Sequence, residues 1–195
     1  MRGVRIDDLL TDVGWDHPDF IKLDVEGSEV AAIRGMYQHL TPPDAPPLYV
    51  ESNGRALWEF GINPNHLLTE LESLGYRSFL VRGDHLVPVA PDHFQAISVV
   101  DYLALKSIPA ALESSIIKAS LTHAEIVADI LKMARAPVVA PWSAYHRTYI
   151  GRALADAPRD IRTNPRVARV LRELREDPVA RVRSAVSWSL PTVVR

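Results

Sequence analysis

Two short apolar runs, each ending on a carboxylate and joined through a helical stretch, restrict this chain more than any other feature. Phe20-Ile21-Lys22-Leu23 runs into Asp24-Val25-Glu26-Gly27, and Leu48-Tyr49-Val50 ends on Glu51. Between them Val30, Ile33, Tyr37 and Leu40 recur at helical spacing. Thr41-Pro42-Pro43-Asp44-Ala45-Pro46-Pro47 follows, a run too poor in backbone donors to be anything but a loop. Strand, helix, loop and strand in this order predict an α/β fold. Ligands in open α/β sheets bind outside the carboxyl ends of strands, so Asp24, Glu26 and Glu51 stand where chemistry is done.

Beyond Glu51 the pattern continues. Asn63-Pro64 supplies a cap and a first-turn proline, Leu67, Leu68, Leu71 and Leu74 form a stripe, and Gly75 supplies the stop. Tyr76–Arg82 and Leu86–Val89, separated by Gly83-Asp84-His85, read as a hairpin, and Val99–Leu105 as a further strand. The expected sheet is parallel with an antiparallel edge. Glu29 falls in the first turn of the helix after Gly27, where a negative charge suits the helix dipole.

The formal charge of −2 conceals a division. Residues 1–105 carry 7 Lys/Arg against 16 Asp/Glu, while residues 106–195 carry 15 against 8. Two units are expected, an acidic one over 1–105 and a basic one over 106–195. The basic unit reads as helical. Thr122-x-x-Glu125 is a capping box flanked by Leu121 and Ile126, and Ile126, Val127, Ile130 and Leu131 form an apolar face. Trp142, Tyr145, Tyr149 and Ala153 mark a second helix, and Asn164-Pro165 and Asp177-Pro178 start two more. Those helices carry Val167, Val170, Leu171 and Leu174, then Val179, Val182 and Val186, and faintly resemble a HEAT-type pair. Arg159, Arg162, Arg166, Arg169, Arg172 and Arg175 would share faces there. Interrupting acids and scarce aromatic residues favour an intramolecular or protein contact over nucleic acid.

With 47% hydrophobic residues in 195, the chain can bury a core. It has no cysteine, which excludes disulfides, thiolate metal sites and a cysteine nucleophile. No run approaches the ~18 apolar residues of a membrane span, and the first residues lack a signal-peptide core. The expected compartment is the cytoplasm.

Ile21-Lys22-Leu23-Asp24-Val25-Glu26-Gly27-Ser28-Glu29 closely resembles the signature of the FkbM family of S-adenosylmethionine-dependent methyltransferases. Val4–Leu10, Arg34-Gly35-Met36, Tyr49-Val50-Glu51 and Leu74-Gly75-Tyr76 extend that resemblance in the family's order over about half the chain. It implies a class I, Rossmann-like methyltransferase sheet of order 3-2-1-4-5-7-6, in which the strand ending at Asp24 is the fourth and Leu48–Glu51 the fifth. It also implies S-adenosylmethionine as cofactor and a hydroxyl of a sugar or other small molecule as acceptor. Only 23 residues precede Asp24, and Gly3 and Gly14 are isolated, with no Gly-x-Gly turn after a strand. The first strands and the cofactor-binding residues are therefore expected to be missing from this chain. The Phe20–Asp24 strand would then be an open edge, and self-association, or a partner covering it, is expected.

Methyl transfer to oxygen needs alignment and a base for the hydroxyl proton. Asp24 and Glu26 could position or deprotonate an acceptor, and Glu51, Ser52 and Asn53 would open onto the same rim. The resemblance extends to catechol-type enzymes, which hold magnesium with acid and amide groups at these strand ends. Three oxygen donors on two loops are few for such a site, and no metal is expected. A purely structural account also stands: Glu26 accepting backbone donors, Asp24 paired with Arg34 or Arg55, and Gly27 permitting close packing. Of the seven histidines, none with metal-ligand spacing, His85 is an outside candidate for a base. Two functions follow, an FkbM-type O-methyltransferase or a non-catalytic remnant serving as a protein-interaction module.

Overall fold

The computed structural model describes residues 3–15, 17–95, 98–117, 127–128, 131 and 143–187. The chain divides into two compact units, Met1–His93 with Val99–Ser120, and Phe94–Ser98 with Leu121–Arg195.

The first unit opens with helix α1 (Ile6–Asp12), which hydrophobic periodicity does not announce. Only Asp7 of this helix is buried, at 1% exposure. Strand β1 is Ile21–Leu23, shorter than the apolar run. The single helix expected next is two, α2 (Glu29–Arg34) and α3 (Tyr37–Leu40). α1 docks at that break. Asp7 N–H donates to the Gly35 carbonyl (2.9 Å), and Gln38 N–H donates to Asp7 Oδ2 (3.2 Å), so Asp7 caps α3 from a distant part of the chain. His39 Nδ1 lies 2.7 Å from Asp7 Oδ1, and Arg5 donates to Oδ2 at 3.0 Å.

Burial by itself would raise the Asp7 carboxyl, but the hydrogen bonds from His39, Arg5 and the Gln38 and His39 backbone outweigh it and hold the group below its usual 3.8. A depressed carboxylate contributes stability that is complete above the unfolded value and lost as pH falls through the folded one. Asp7→Asn is therefore expected to cost about 2 kcal/mol at neutral pH, and that cost should shrink below pH 3.8. Urea titrations at the two pH values test this; an undiminished cost in acid would refute the charge argument.

Strand β2 (Leu48–Asn53) is followed by α4 (Gly54–Glu59), whose N-terminus is capped by Asn53 Oδ1 accepting from Ala56 N–H at 3.2 Å. α5 (Asn65–Ser73) buries Leu67, Leu68 and Leu71 as expected. Gly75 (φ +85°) ends it, with Tyr76 N–H returning to the Leu71 carbonyl at 3.0 Å. The hairpin forms as β3 (Arg77–Arg82) and β4 (His85–Val89), and β5 spans Val99–Leu105. Pro88 is tolerated because β4 is an edge strand.

The sheet order is β1-β2-β5-β3-β4. β1 and β2 are parallel, whereas β2–β5, β5–β3 and β3–β4 are antiparallel, so the antiparallel part is larger than the expected edge. The architecture is α/β with a five-stranded mixed sheet and helices, compatible with a Rossmann-like methyltransferase fold. Leu48 and Val50 point into the core, while Tyr49, Glu51 and Asn53 form the half-buried face of β2.

The second unit is mostly helical over residues 143–187. Helix α6 (Ser143–Asp156) buries Tyr149, Ile150, Ala153 and Leu154. Helices α7 (Arg159–Thr163), α8 (Pro165–Arg175) and α9 (Ala180–Ser187) follow. Asn164 Oδ1 accepts from Arg166 N–H at 3.0 Å and Asp177 Oδ1 from Val179 N–H at 2.9 Å, as the cap-plus-proline pattern requires. Val167, Leu174, Val182 and Val186 are buried, but Val179 is exposed because it precedes the helix. Arg159, Arg162, Arg166, Arg169, Arg172 and Arg175 are all exposed. The capping box at Thr122–Glu125 with Leu121, Ile126 and Ile130, Trp142 and the Tyr145 side chain lie outside the described residues; Val127 and Leu131 are buried. Among the described residues no helix is long and apolar enough to cross a membrane.

Candidate active site

Asp24 and Glu26 leave the end of β1, and Glu51 stands near the end of the neighbouring parallel strand β2. The turn between β1 and α2 brings the three together, with one carboxylate oxygen of each within 4.8 Å of the others. This turn is unusual in its backbone. Glu26 has φ +50° and Gly27 φ +100°. A non-glycine residue in the left-handed region costs roughly 1–2 kcal/mol and must be held by its surroundings. Glu29 supplies part of that hold. Buried to 1% exposure, its Oε1 accepts from Gly27 N–H at 3.0 Å and Val25 N–H at 3.4 Å. Asn53 Nδ2 supplies the rest by donating to Glu26 Oε2 at 2.9 Å.

These contacts reassign the roles considered from sequence. Glu29, not Glu26, accepts the backbone donors. Arg34 pairs with Glu70 at 2.8 Å, where Tyr37 also donates, and Arg55 lies 3.8 Å from Glu59. The cation beside Asp24 is Lys22, at 3.1 Å. Gly27 does serve close packing, but against α4: a Cβ there would lie 2.8 Å from the Ala56 backbone and 2.7 Å from the Phe60 ring. Ser52 is fully buried on the opposite face of β2 and does not reach the rim, whereas Asn53 does. His85 is exposed on β4, three strands from β2 in the sheet order, and is not brought to the carboxylates.

Two further residues complete the electrostatics. Asp101 on β5 stands in register with Glu51, a like-charge pair across strands that costs stability. Tyr49, two residues before Glu51, hydrogen-bonds to Asp101, and burial together with that neighbour raises its phenol above the usual value. Burial, then the charges of Asp24, Asp101 and Glu26, push the Glu51 carboxyl above its ordinary 4.5, with Lys22 opposing. Asp101 was hidden in the sequence because its partner is set by sheet register; its only signal was a lone charge inside a β-rich run. A cavity of about 290 Å³ opens elsewhere in the unit, lined in part by Leu68, Tyr76, Arg77, Phe79 and Pro88, and the three carboxylates do not line it.

The described residues do not by themselves form a cradle for a nucleoside cofactor at this turn. The glycine that could leave room for one is filled by Ala56 and Phe60 of the same chain. What the trio offers is a cluster of acceptors on an open rim, with one carboxyl biased toward holding a proton.

No curated protein and no solved structure matches the chain. Residues 1–78, the N-terminal part, match the family model of the methyltransferase FkbM domain, a span that includes Asp24, Glu26 and Glu51 and bears out the resemblance carried by Ile21–Glu29.

Proposed function

We propose that the first unit supplies the acceptor side of an FkbM-type O-methyltransferase acting in the cytoplasm on a hydroxyl of a sugar or other small molecule. In this reading residues 1–105 are the methyltransferase-type part and 106–195 a basic helical part. The observation that supports it is the convergence of Asp24, Glu26 and Glu51 at two adjacent strand ends, with the Glu51 carboxyl raised. Asp24 and Glu26 accept hydrogen bonds from the acceptor's hydroxyls and fix its orientation. Glu51 takes the proton of the reacting hydroxyl, a role favoured by a base whose pKa is moved toward neutrality. The family implies S-adenosylmethionine. Because the Gly27 turn is filled, the cofactor must be held by surfaces other than that turn.

Glu51→Gln tests the assignment in two ways. It is expected to lower turnover by about 10²–10⁴-fold, the usual contribution of a positioned base. The same change should stabilise the fold at neutral pH. A carboxyl whose folded value is raised contributes stability below its unfolded value of 4.5, and loses it as pH rises through the folded value. Removing the charge removes that loss. A glutamine variant that keeps full turnover, or that melts lower at neutral pH, would count against Glu51.

The filled turn favours a second reading, a non-catalytic remnant serving as an interaction module. Calorimetric titration of the full chain with S-adenosylmethionine and its demethylated product separates the two. Heat of binding supports the enzyme, and its absence at high protein concentration supports the remnant.

A further inference from the structure

The cavity of about 290 Å³ sits where the β3–β4 hairpin forks. The last cross-strand pair is Ser78 with Val89; beyond it β4 has ended and Pro91 has no N–H to extend the ladder, while Arg77 still pairs with Leu105 of β5. Neighbours on a strand turn to opposite faces, so side chains from both faces of the sheet line the gap. Leu68 of α5 and Phe79 and Pro88 of the hairpin supply apolar walls, and the polar side chains are Glu72, Tyr76, Arg77 and Ser78. The Tyr76 phenol is committed, donating to the Pro46 carbonyl at 2.9 Å. The other three are not. Ser78 is only 9% exposed, yet its hydroxyl has no hydrogen-bond partner among the described residues, and Glu72 and Arg77 have no ion-pair partner among them. Buried polar groups are normally paired, so an unpaired hydroxyl on a cavity wall points to a ligand.

We propose that this fork binds a free amino acid with an aromatic side chain, held as its zwitterion. The volume suits one, since a cavity of about half that size holds a benzene ring and the remainder accommodates the charged end. The ring packs against Leu68, Phe79 and Pro88. The ammonium meets the Glu72 carboxylate and donates to the Ser78 hydroxyl oxygen, and the carboxylate meets the Arg77 guanidinium. Charge selects the zwitterion. An acid without an amine would bring its carboxylate near Glu72 with no cation to answer it, and an amine without an acid would leave its ammonium near an unanswered Arg77. The site is separate from the carboxylate trio. Arg77 stands against Leu105 and Asn53 against Val99, so the length of β5, roughly 20 Å, lies between the two.

Calorimetric titration of the full chain with L-phenylalanine, paired with amide NMR shifts, tests the proposal independently of any methyl transfer. Saturable binding is expected with a dissociation constant of roughly 1 mM, the level that one buried ring and two exposed charge contacts reach. The largest shifts should fall on Arg77, Ser78, Phe79 and Val89. Phenylpropanoate, which lacks the ammonium, and phenethylamine, which lacks the carboxylate, should each bind about fivefold more weakly. Glu72→Gln should weaken phenylalanine about fivefold without weakening phenylpropanoate, and Arg77→Gln should weaken phenylalanine without weakening phenethylamine. Both residues are exposed, so these variants keep the fold, and circular-dichroism melts check that they do. Ser78→Ala should cost about threefold. No saturation by about 20 mM, benzyl alcohol binding as tightly as phenylalanine, or charge variants that leave the phenylalanine affinity unchanged would each overturn the proposal.

Discussion

Gly27→Ala is expected to destabilise the first unit by about 3 kcal/mol or more, a sum of two separable costs. The backbone at φ +100° is unfavourable for any residue with a Cβ. The new methyl would also sit 2.8 Å from the Ala56 carbonyl carbon and oxygen. The Phe60 ring, 62% exposed, can swing away, but the backbone of α4 cannot. Gly75 provides the control, since it has φ +85° and nothing within 4 Å of its missing Cβ. Gly75→Ala should bear the backbone cost alone, so urea unfolding should show Gly27→Ala to be worse by about 2 kcal/mol, the usual price of overpacking. Equal losses would mean that α4 yields easily. With α4 fixed, the crowding displaces the Gly27 turn, and the 2.9 Å Asn53–Glu26 hydrogen bond should weaken with it. If the chain has the proposed methyltransferase activity, its turnover should then fall even in the fraction that remains folded.

Asp177→Ala is expected to cost the second unit about 3–5 kcal/mol, the usual loss when one member of a buried ion pair is removed. Arg147 and Asp177 are both about nine-tenths buried, with Nε to Oδ2 at 2.6 Å and Nη2 to Oδ1 at 3.3 Å. Alanine would take the Asp177 carboxylate away from the buried Arg147 guanidinium and also remove the cap on Val179 N–H. Asp177→Asn keeps an acceptor for that N–H, so its loss should be smaller by about 1 kcal/mol, the typical worth of a helix cap. Helical circular dichroism in urea resolves the two variants; identical losses would show that the cap contributes nothing. Acid should act in the same direction. Burial would raise the Asp177 carboxyl, but hydrogen bonds from Arg147 and Val179 and the charges of Arg147 and Arg183 hold it below 3.8. Its stabilisation is therefore complete above that value and disappears as pH falls through the depressed one.

These two sites differ in how far the sequence disclosed them. Asp177-Pro178 announces a helix start, and the cap is found as expected, yet the same carboxylate's partner thirty residues earlier is invisible to a local pattern. Gly27 was legible as a close-packing glycine, but not the helix it packs against, because Gly54–Glu59 lacks the apolar periodicity of an amphipathic helix. The break between α2 and α3 escaped for a similar reason. Val30, Ile33, Tyr37 and Leu40 fit one continuous helix, and only the docking of Asp7 at Gly35 and Gln38 divides it.

The sequence alone determined the exit of β1 that carries Asp24 and Glu26, the strand that carries Glu51 though not its end at Asn53, the stripe and stop of α5, the hairpin, the helix starts at Asn164 and Asp177, and the family resemblance of the N-terminal part. All of these depend on residues within a few positions of one another, where periodicity, caps and turn chemistry act. Tertiary structure decided the rest. It set Asp101 against Glu51 through strand register, gave Asp24 its lysine and Glu26 its asparagine, buried Asp7 and left Leu9 of α1 exposed. Partners of that kind are selected by packing and pairing between distant segments, as are the burial of Glu51 and the nearness of Asp24, Asp101 and Glu26 that raise its carboxyl.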